Sequence, residues 1–196
     1  MGKGLSREVI TEAAAQMVRE TPFQQISVNE LARTLGVKPA SLYNHIASLE
    51  DIRTEVGLYA AGKLIRETRE AVTGKMPRDA LLDFAKAYRT FERENPGLYF
   101  YIIHLHDAED SRLREAAAAI IQPILEILSA YGLTKAQCCH WQRVFRSMMH
   151  GFIVQQRHGY FTNPDADSEQ SYEIGIQCVI DGIQAAAQES EERRND

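Results

Sequence analysis

Between residues 38 and 45 the chain places a cation, two hydroxyls, an amide and an imidazole, on Lys38, Ser41, Tyr43, Asn44 and His45, beside the small residues Pro39 and Ala40. That set suits contact with a nucleic acid. Lys38 offers a mobile cation to phosphate, while Ser41, Tyr43 and His45 donate to phosphate oxygens or meet thymine methyl groups. Asn44 carries the donor and acceptor that match an adenine edge in the major groove. Pro39 and Ala40 are small enough for close approach and for apolar contact with a thymine methyl. Taken alone, the same residues also fit an ordinary solvated helix face, so the surrounding elements decide between the two.

Those elements read as two short helices over residues 27–46. Ser27 with Glu30 three positions on has the form of a capping box. Gly36 can take the left-handed conformation that ends the first helix, and Pro39 sits in the first turn of the second, where a missing N–H costs nothing. Leu31, Ala32, Leu35, Val37, Leu42 and Ile46 fall on facing inward stripes, which leaves the polar set outside. A helix from Arg7 to Glu20, behind a Ser6 cap and before Pro22, buries Val9/Ile10, Ala13/Ala14 and Met17/Val18. A long helix follows from Ser48 to Val72, with Glu50 and Asp51 in its first turn. Beyond Gly74 and Pro77 come helices over Arg78 to Glu94, Gly97 to His106, Glu109 to Tyr131 with a kink near Pro123, Thr134 to His158, and Ser168 to Glu189. The charged tail after Glu189 is expected to fray. Period-2 alternation is lacking, so the fold class is all-α with about nine helices.

Composition narrows the function classes. The 196 residues are 44% apolar and 25% charged, as in soluble globular proteins, with no long apolar run and no signal-peptide pattern. A cytoplasmic protein without membrane association is expected. Cys138, Cys139 and Cys178 form neither a metal-ligand spacing nor an even disulfide set, and are expected to be packing residues. The net charge is −5, yet residues 1–70 hold nine Lys or Arg against nine Asp or Glu, so the acidic excess lies in residues 71–196. A neutral head attached to an acidic body implies modest non-specific DNA affinity.

Three N-terminal helices, a long connecting helix and a helical body resemble the TetR family of bacterial transcriptional regulators. The resemblance is strongest over residues 5–66, in Ser27, Leu31-Ala32, Gly36-Val37 and Leu42-Tyr43-Asn44-His45. Two positions depart from the family pattern: Ile46 stands where Phe is common, and Leu49 where a Lys commonly contacts phosphate. The resemblance adds Ser27 and Asn29 to the DNA-facing set. It implies a DNA-binding domain over 1–66, with its helix-turn-helix at 27–46, and a helical ligand-binding and dimerisation domain over 67–196. It further implies a repressor on double-stranded DNA at a near-palindromic operator, released by a small organic effector, with no cofactor and no metal.

In the body, the 134–158 helix carries Cys138, Trp141, Phe145, Met148/Met149 and Phe152, too wide an apolar surface for one seam. The last helix has one stripe of Ile176, Ile180, Ile183 and Ala187, and another of Tyr172, Gly175, Val179, Gly182 and Ala186, whose small residues admit a partner helix closely. Together the two helices are expected to form a two-fold, four-helix homodimer interface, as the resemblance also implies. Tyr59, Tyr99, Phe100, His104, Trp141, Phe145, Met148, Met149, His150 and Phe152 are candidates for lining an effector pocket, although an aromatic and methionine stripe at this spacing is more often core. Met149-His150-Gly151-Phe152 resembles a His-Gly signature of one C-terminal subtype, with Arg146 where that subtype has Trp. Effector binding is expected to swing the connecting helix and move two heads out of register with successive grooves.

No catalytic constellation competes with this reading. His104 and His106, two apart on a helix, point away from each other and make a poor chelate with Asp107. The remaining alternatives are a redox-responsive regulator using cysteine and, behind it, a helical protein-binding adaptor or an enzyme.

Overall fold

The computed structural model describes residues 4–20, 26–105 and 110–195, and among these it is helical without strands. Residues 1–66 and 91–120 form one compact unit, and residues 67–90 and 121–196 form another. Residues 91–120 therefore pack with the N-terminal helices despite following the connecting helix in the chain.

In the first unit, α1 (Arg7–Val18) opens on Ser6, whose hydroxyl accepts from the Val9 amide at 3.4 Å. Its buried stripe is Ile10, Thr11, Ala14, Ala15 and Val18; Val9, Ala13 and Met17 are half-buried on its flank. Pro22 lies outside the described residues. α2 (Val28–Thr34) and α3 (Pro39–Leu42) are separated by Gly36, whose φ of 66° is the left-handed turn that glycine adopts without steric cost. The connecting helix α4 (Leu49–Val72) buries Ile52, Val56, Ala60, Ala61, Leu64 and Thr68 at helical spacing. Buried Asn95 donates its side-chain amide to the Phe91 carbonyl at 3.1 Å between α5 (Pro77–Glu94) and α6 (Pro96–Ile103). The Gly97 amide then bonds the Arg19 carbonyl at 2.9 Å, which ties α6 to the end of α1.

α7 (Ser111–Ala130) contributes residues 111–120 to the first unit and 121–130 to the second, where it continues through a buried Pro123, and α8 (Lys135–Arg157) of the second unit opens on a complete capping box between Thr134 and Gln137. α9 (Ser168–Asn195) does not fray at Glu189 as expected. Glu189 pairs with Arg193 at 3.0 Å, and Ser190 accepts from the Gln137 side chain at 2.8 Å while donating to the Ala186 carbonyl. One-turn ion pairing and an anchor to the start of α8 hold this polar end helical.

The small-residue stripe of α9 also has a use other than the one expected. α8 and α9 pack along one another in the same chain. Gly175 leaves the space that Met148 fills and Gly182 the space that Trp141 fills, while Tyr172 is buried with its hydroxyl donating to the Ala85 carbonyl at 3.0 Å. The close approach is thus intramolecular. The large apolar side chains left facing solvent on these helices are Val144 and Ile174, and Cys178, one turn after Ile174, is exposed rather than packed.

Candidate nucleic-acid interface

The helix-turn-helix core is closed by Ile26, Leu31, Ala32, Leu42 and Ile46, each buried, with Leu35 and Val37 half-buried around the turn. Ser27, Asn29, Lys38, Pro39, Ala40, Tyr43, Asn44 and His45 are exposed, Tyr43 by 52%, and Ser41 is half-buried. Lys38 enters α3 in extended conformation and Pro39 takes the first helical position. The helix closes within one turn, after which the Asn44, His45 and Ile46 amides bond back to Ser41 and Leu42. Tyr43, Asn44 and His45 thus stand on a tight turn rather than on a long helix.

The cap of α2 is half of the expected box. The Ser27 hydroxyl accepts from the Glu30 amide at 3.3 Å, but the Glu30 carboxylate turns to Arg33, 3.5 Å away on the next turn. A cation one turn on competes with an exposed amide that water can satisfy. With Glu30 and Arg33 paired, Lys38 is the cation among residues 26–48 that no ion pair engages among the described residues.

Sequence reasoning missed the two residues that hold this surface. Arg7 donates to the His45 carbonyl at 3.2 Å, to Glu55 at 3.1 Å, and to Asp51. Asp51 also accepts from the Ala47 amide at 2.8 Å, while its own amide donates to the Ser48 hydroxyl at 3.1 Å. Glu55 accepts from Arg112 on α7 as well, at 2.9 Å. One guanidinium therefore fixes the end of the recognition turn against the first two turns of α4. Ser48-x-x-Asp51 is a capping pattern visible in the sequence, but nothing local to Arg7 points to a carbonyl 38 residues away. Two amides at the entry to α4 are occupied, and Glu50 and Asp51 are negative there, so that helix start offers phosphate less than an open N-terminus would.

The effector-lining candidates fall into both units. In the first, Tyr59 borders an open groove of about 280 Å³ with Arg7, Glu8, Thr11, Glu12, Glu55 and Leu58. Tyr99 is buried and Phe100 half-buried; His104 is exposed with its ring 4.3 Å from that of Phe100. In the second, Phe145 and Met149 are fully buried, with Phe145 6.3 Å from Phe84, and Trp141 and Met148 occupy the glycine notches of α9. His150 is half-buried, and burial, then the Arg146 cation, push its imidazole below the ordinary value. Phe152 packs on Tyr172 and Phe161 at 5.2 and 4.7 Å. His106 and Asp107 lie outside the described residues, within which no three His, Cys, Asp or Glu side chains are grouped to hold a metal ion. No described helix is long and apolar enough to cross a membrane.

An exposed polar turn following a helix-turn-helix core, on an all-helical chain, defines a DNA-binding regulator. Residues 81–179 match the family described as tetracyclin repressor-like, C-terminal domain. The chain is 32% identical to the HTH-type transcriptional regulator Rv0681 of Mycobacterium tuberculosis over 165 residues, 84% of this chain and 76% of the relative. With the HTH-type transcriptional regulator YobS of Bacillus subtilis it shares 30% identity over 181 residues, 92% and 93% of the two chains. The fold resembles that of SCO7222, a TetR regulator from Streptomyces coelicolor, with a TM-score of 0.74 at 17% identity over 93% of this chain and 99% of that one. The chain belongs to the TetR family of helix-turn-helix transcriptional regulators.

Proposed function

We propose that the protein is a homodimeric repressor of a near-palindromic operator, read by residues 1–66 and released by a small organic effector bound in the helical domain of residues 67–196. The observation that carries the reading is the exposure of Lys38, Pro39, Ala40, Tyr43, Asn44 and His45 around buried Leu42, held by the Arg7 bond to the His45 carbonyl. Lys38, Ser41, Tyr43 and His45 grip phosphate or thymine methyl groups, and Ser27 and Asn29 approach the backbone and groove edge. Asn44 reads adenine, and Pro39 and Ala40 permit close approach. Two copies present two such turns to successive major grooves, about 34–36 Å apart. Val144 and Ile174, the exposed apolar residues of α8 and α9, offer the second copy a surface that intrachain packing leaves uncovered.

The residues proposed for effector contact form two separate sets, Tyr59, Tyr99, Phe100 and His104 in the first unit and Trp141, Phe145, Met148, Met149, His150 and Phe152 in the second. α4 contributes residues to both units and is the element through which effector and operator occupancy oppose each other. Selection of bound sites from random DNA, with and without candidate effectors, tests the reading. Enriched inverted repeats that an effector displaces support it; enrichment of direct repeats, or no enrichment, overturns it.

A further inference from the structure

Arg89 on α5 is 6% exposed, a cation inside the second unit. Its guanidinium lies over the rings of Tyr172 and Phe152, at 4.4 and 5.1 Å. Nη2 donates both to Gln156 Oε1 at 2.9 Å and to Glu169 Oε1 at 3.0 Å. Nη1 is buried and donates to nothing among the described residues. One nitrogen carries both acceptors and the other carries none.

A buried donor without an acceptor is costly, and more so on a charged group. The guanidinium fork also matches a carboxylate through two parallel bonds, whereas Glu169 engages a single nitrogen through a single oxygen. The Glu169 side chain is 56% exposed, so releasing it to water leaves no buried charge behind. Gln156 is held from its other end by the Ser168 hydroxyl, to which it donates at 2.9 Å, and so keeps Nη2 in place.

We propose that Arg89 anchors a carboxylate-bearing aromatic or aliphatic ligand, whose two oxygens bridge Nη1 and Nη2 in place of Glu169 and whose apolar part packs against Phe152 and Phe161. Exchange of one carboxylate for another leaves the Arg89 cation paired with one negative charge. Glu169 sits in the first turn of α9, so its release also removes the ion pair that joins α5 to the start of α9. The assignment of this ligand as the effector rests on the reading given under Proposed function.

The test uses the full chain and matched acid and amide pairs: benzoate with benzamide, phenylacetate with phenylacetamide, and butyrate with butyramide, at constant ionic strength. At least one acid is expected to raise the thermal midpoint by several degrees at saturation while its amide does not. Arg89→Gln is expected to abolish the acid shift, and Glu169→Gln to strengthen acid binding severalfold by removing the competitor. Should Arg89→Gln fail to fold, the acid-amide comparison on the unaltered chain and the Glu169→Gln titration decide. Equal shifts from acids and amides, no acid shift, or an acid shift unchanged by Arg89→Gln or Glu169→Gln overturns the proposal. Neutral compounds that release operator DNA while the acids fail to bind would overturn it and leave the effector reading standing. Acids that bind at Arg89 without releasing DNA would remove the effector reading alone.

Discussion

Trp141 of α8 lies across Gly182 of α9: a Cβ added at residue 182 would stand 2.8 Å from the indole Cη2 and 3.3 Å from Cζ3. At Gly175 the added Cβ would overlap the Met148 Cε still more closely. The shorter contact is the cheaper one to relieve, because a terminal methyl on a flexible chain can move and a packed indole cannot. Gly→Ala in a helix gains about 1 kcal/mol of propensity, against about 1–3 kcal/mol for overpacking. Gly175→Ala is therefore expected within about 0.5 kcal/mol of neutral, and Gly182→Ala to destabilise by about 1 kcal/mol or more. Urea unfolding of the two variants checks the order.

Asp51 serves two partners, the Ala47 amide and Arg7. Asp51→Ala removes both and is expected to cost about 1–2 kcal/mol. Asp51→Asn keeps an acceptor for the amide and loses the charge, so about half of that cost should return. Arg7→Met in the Asp51→Ala background should cost less than in the parent chain, a coupling that a double-mutant cycle by chemical unfolding would read. Additive costs would remove the clamp from the account of the recognition turn.

DNA contacts of different kinds separate by their sequence dependence. Lys38→Ala is expected to weaken binding to all sequences alike and to reduce the salt slope by about 1. Asn44→Ala is expected to cost about 1–3 kcal/mol at the preferred site and to relax the preference at one base pair. Fluorescence anisotropy against a selected site and its single-base variants, across salt concentrations, distinguishes the two.

His150 gives the stability a pH dependence of known sign. Because burial and Arg146 hold its imidazole below the ordinary value, the unfolded chain takes up a proton at higher pH than the folded chain. Its contribution is intact above about pH 6.5 and is lost as the pH falls through the region below it. Glu8 and Asp110, held below the ordinary carboxylate value chiefly by the Ser6 and Arg112 hydrogen bonds respectively, act lower, near about pH 4 and beneath. His150→Gln should therefore flatten the fall in unfolding midpoint between about pH 7 and pH 5 and leave the steeper acid limb. An unchanged difference across that window would contradict the assignment.

The elements legible in the sequence are those whose hydrogen bonds close locally. Ser6, Thr134 and Gly36 mark helix ends because a cap or a left-handed turn is satisfied within three or four residues, and the period of apolar residues marks the faces between them. Leu42-Tyr43-Asn44-His45 is legible for the same reason: the turn that exposes it is built from its immediate neighbours. What the sequence left open was which side chains meet across the fold. The reach of Arg7 to the His45 carbonyl spans 38 positions, and that of Arg89 to Gln156 and Glu169 spans 67 and 80. Gly175 and Gly182 are equally suited to a neighbour in another chain, and only the packing of α8 shows that Met148 and Trp141 fill them. Local periodicity fixes the face a helix presents. The partner of that face follows from the sum of many weak burial contacts, and no spacing within one helix encodes it.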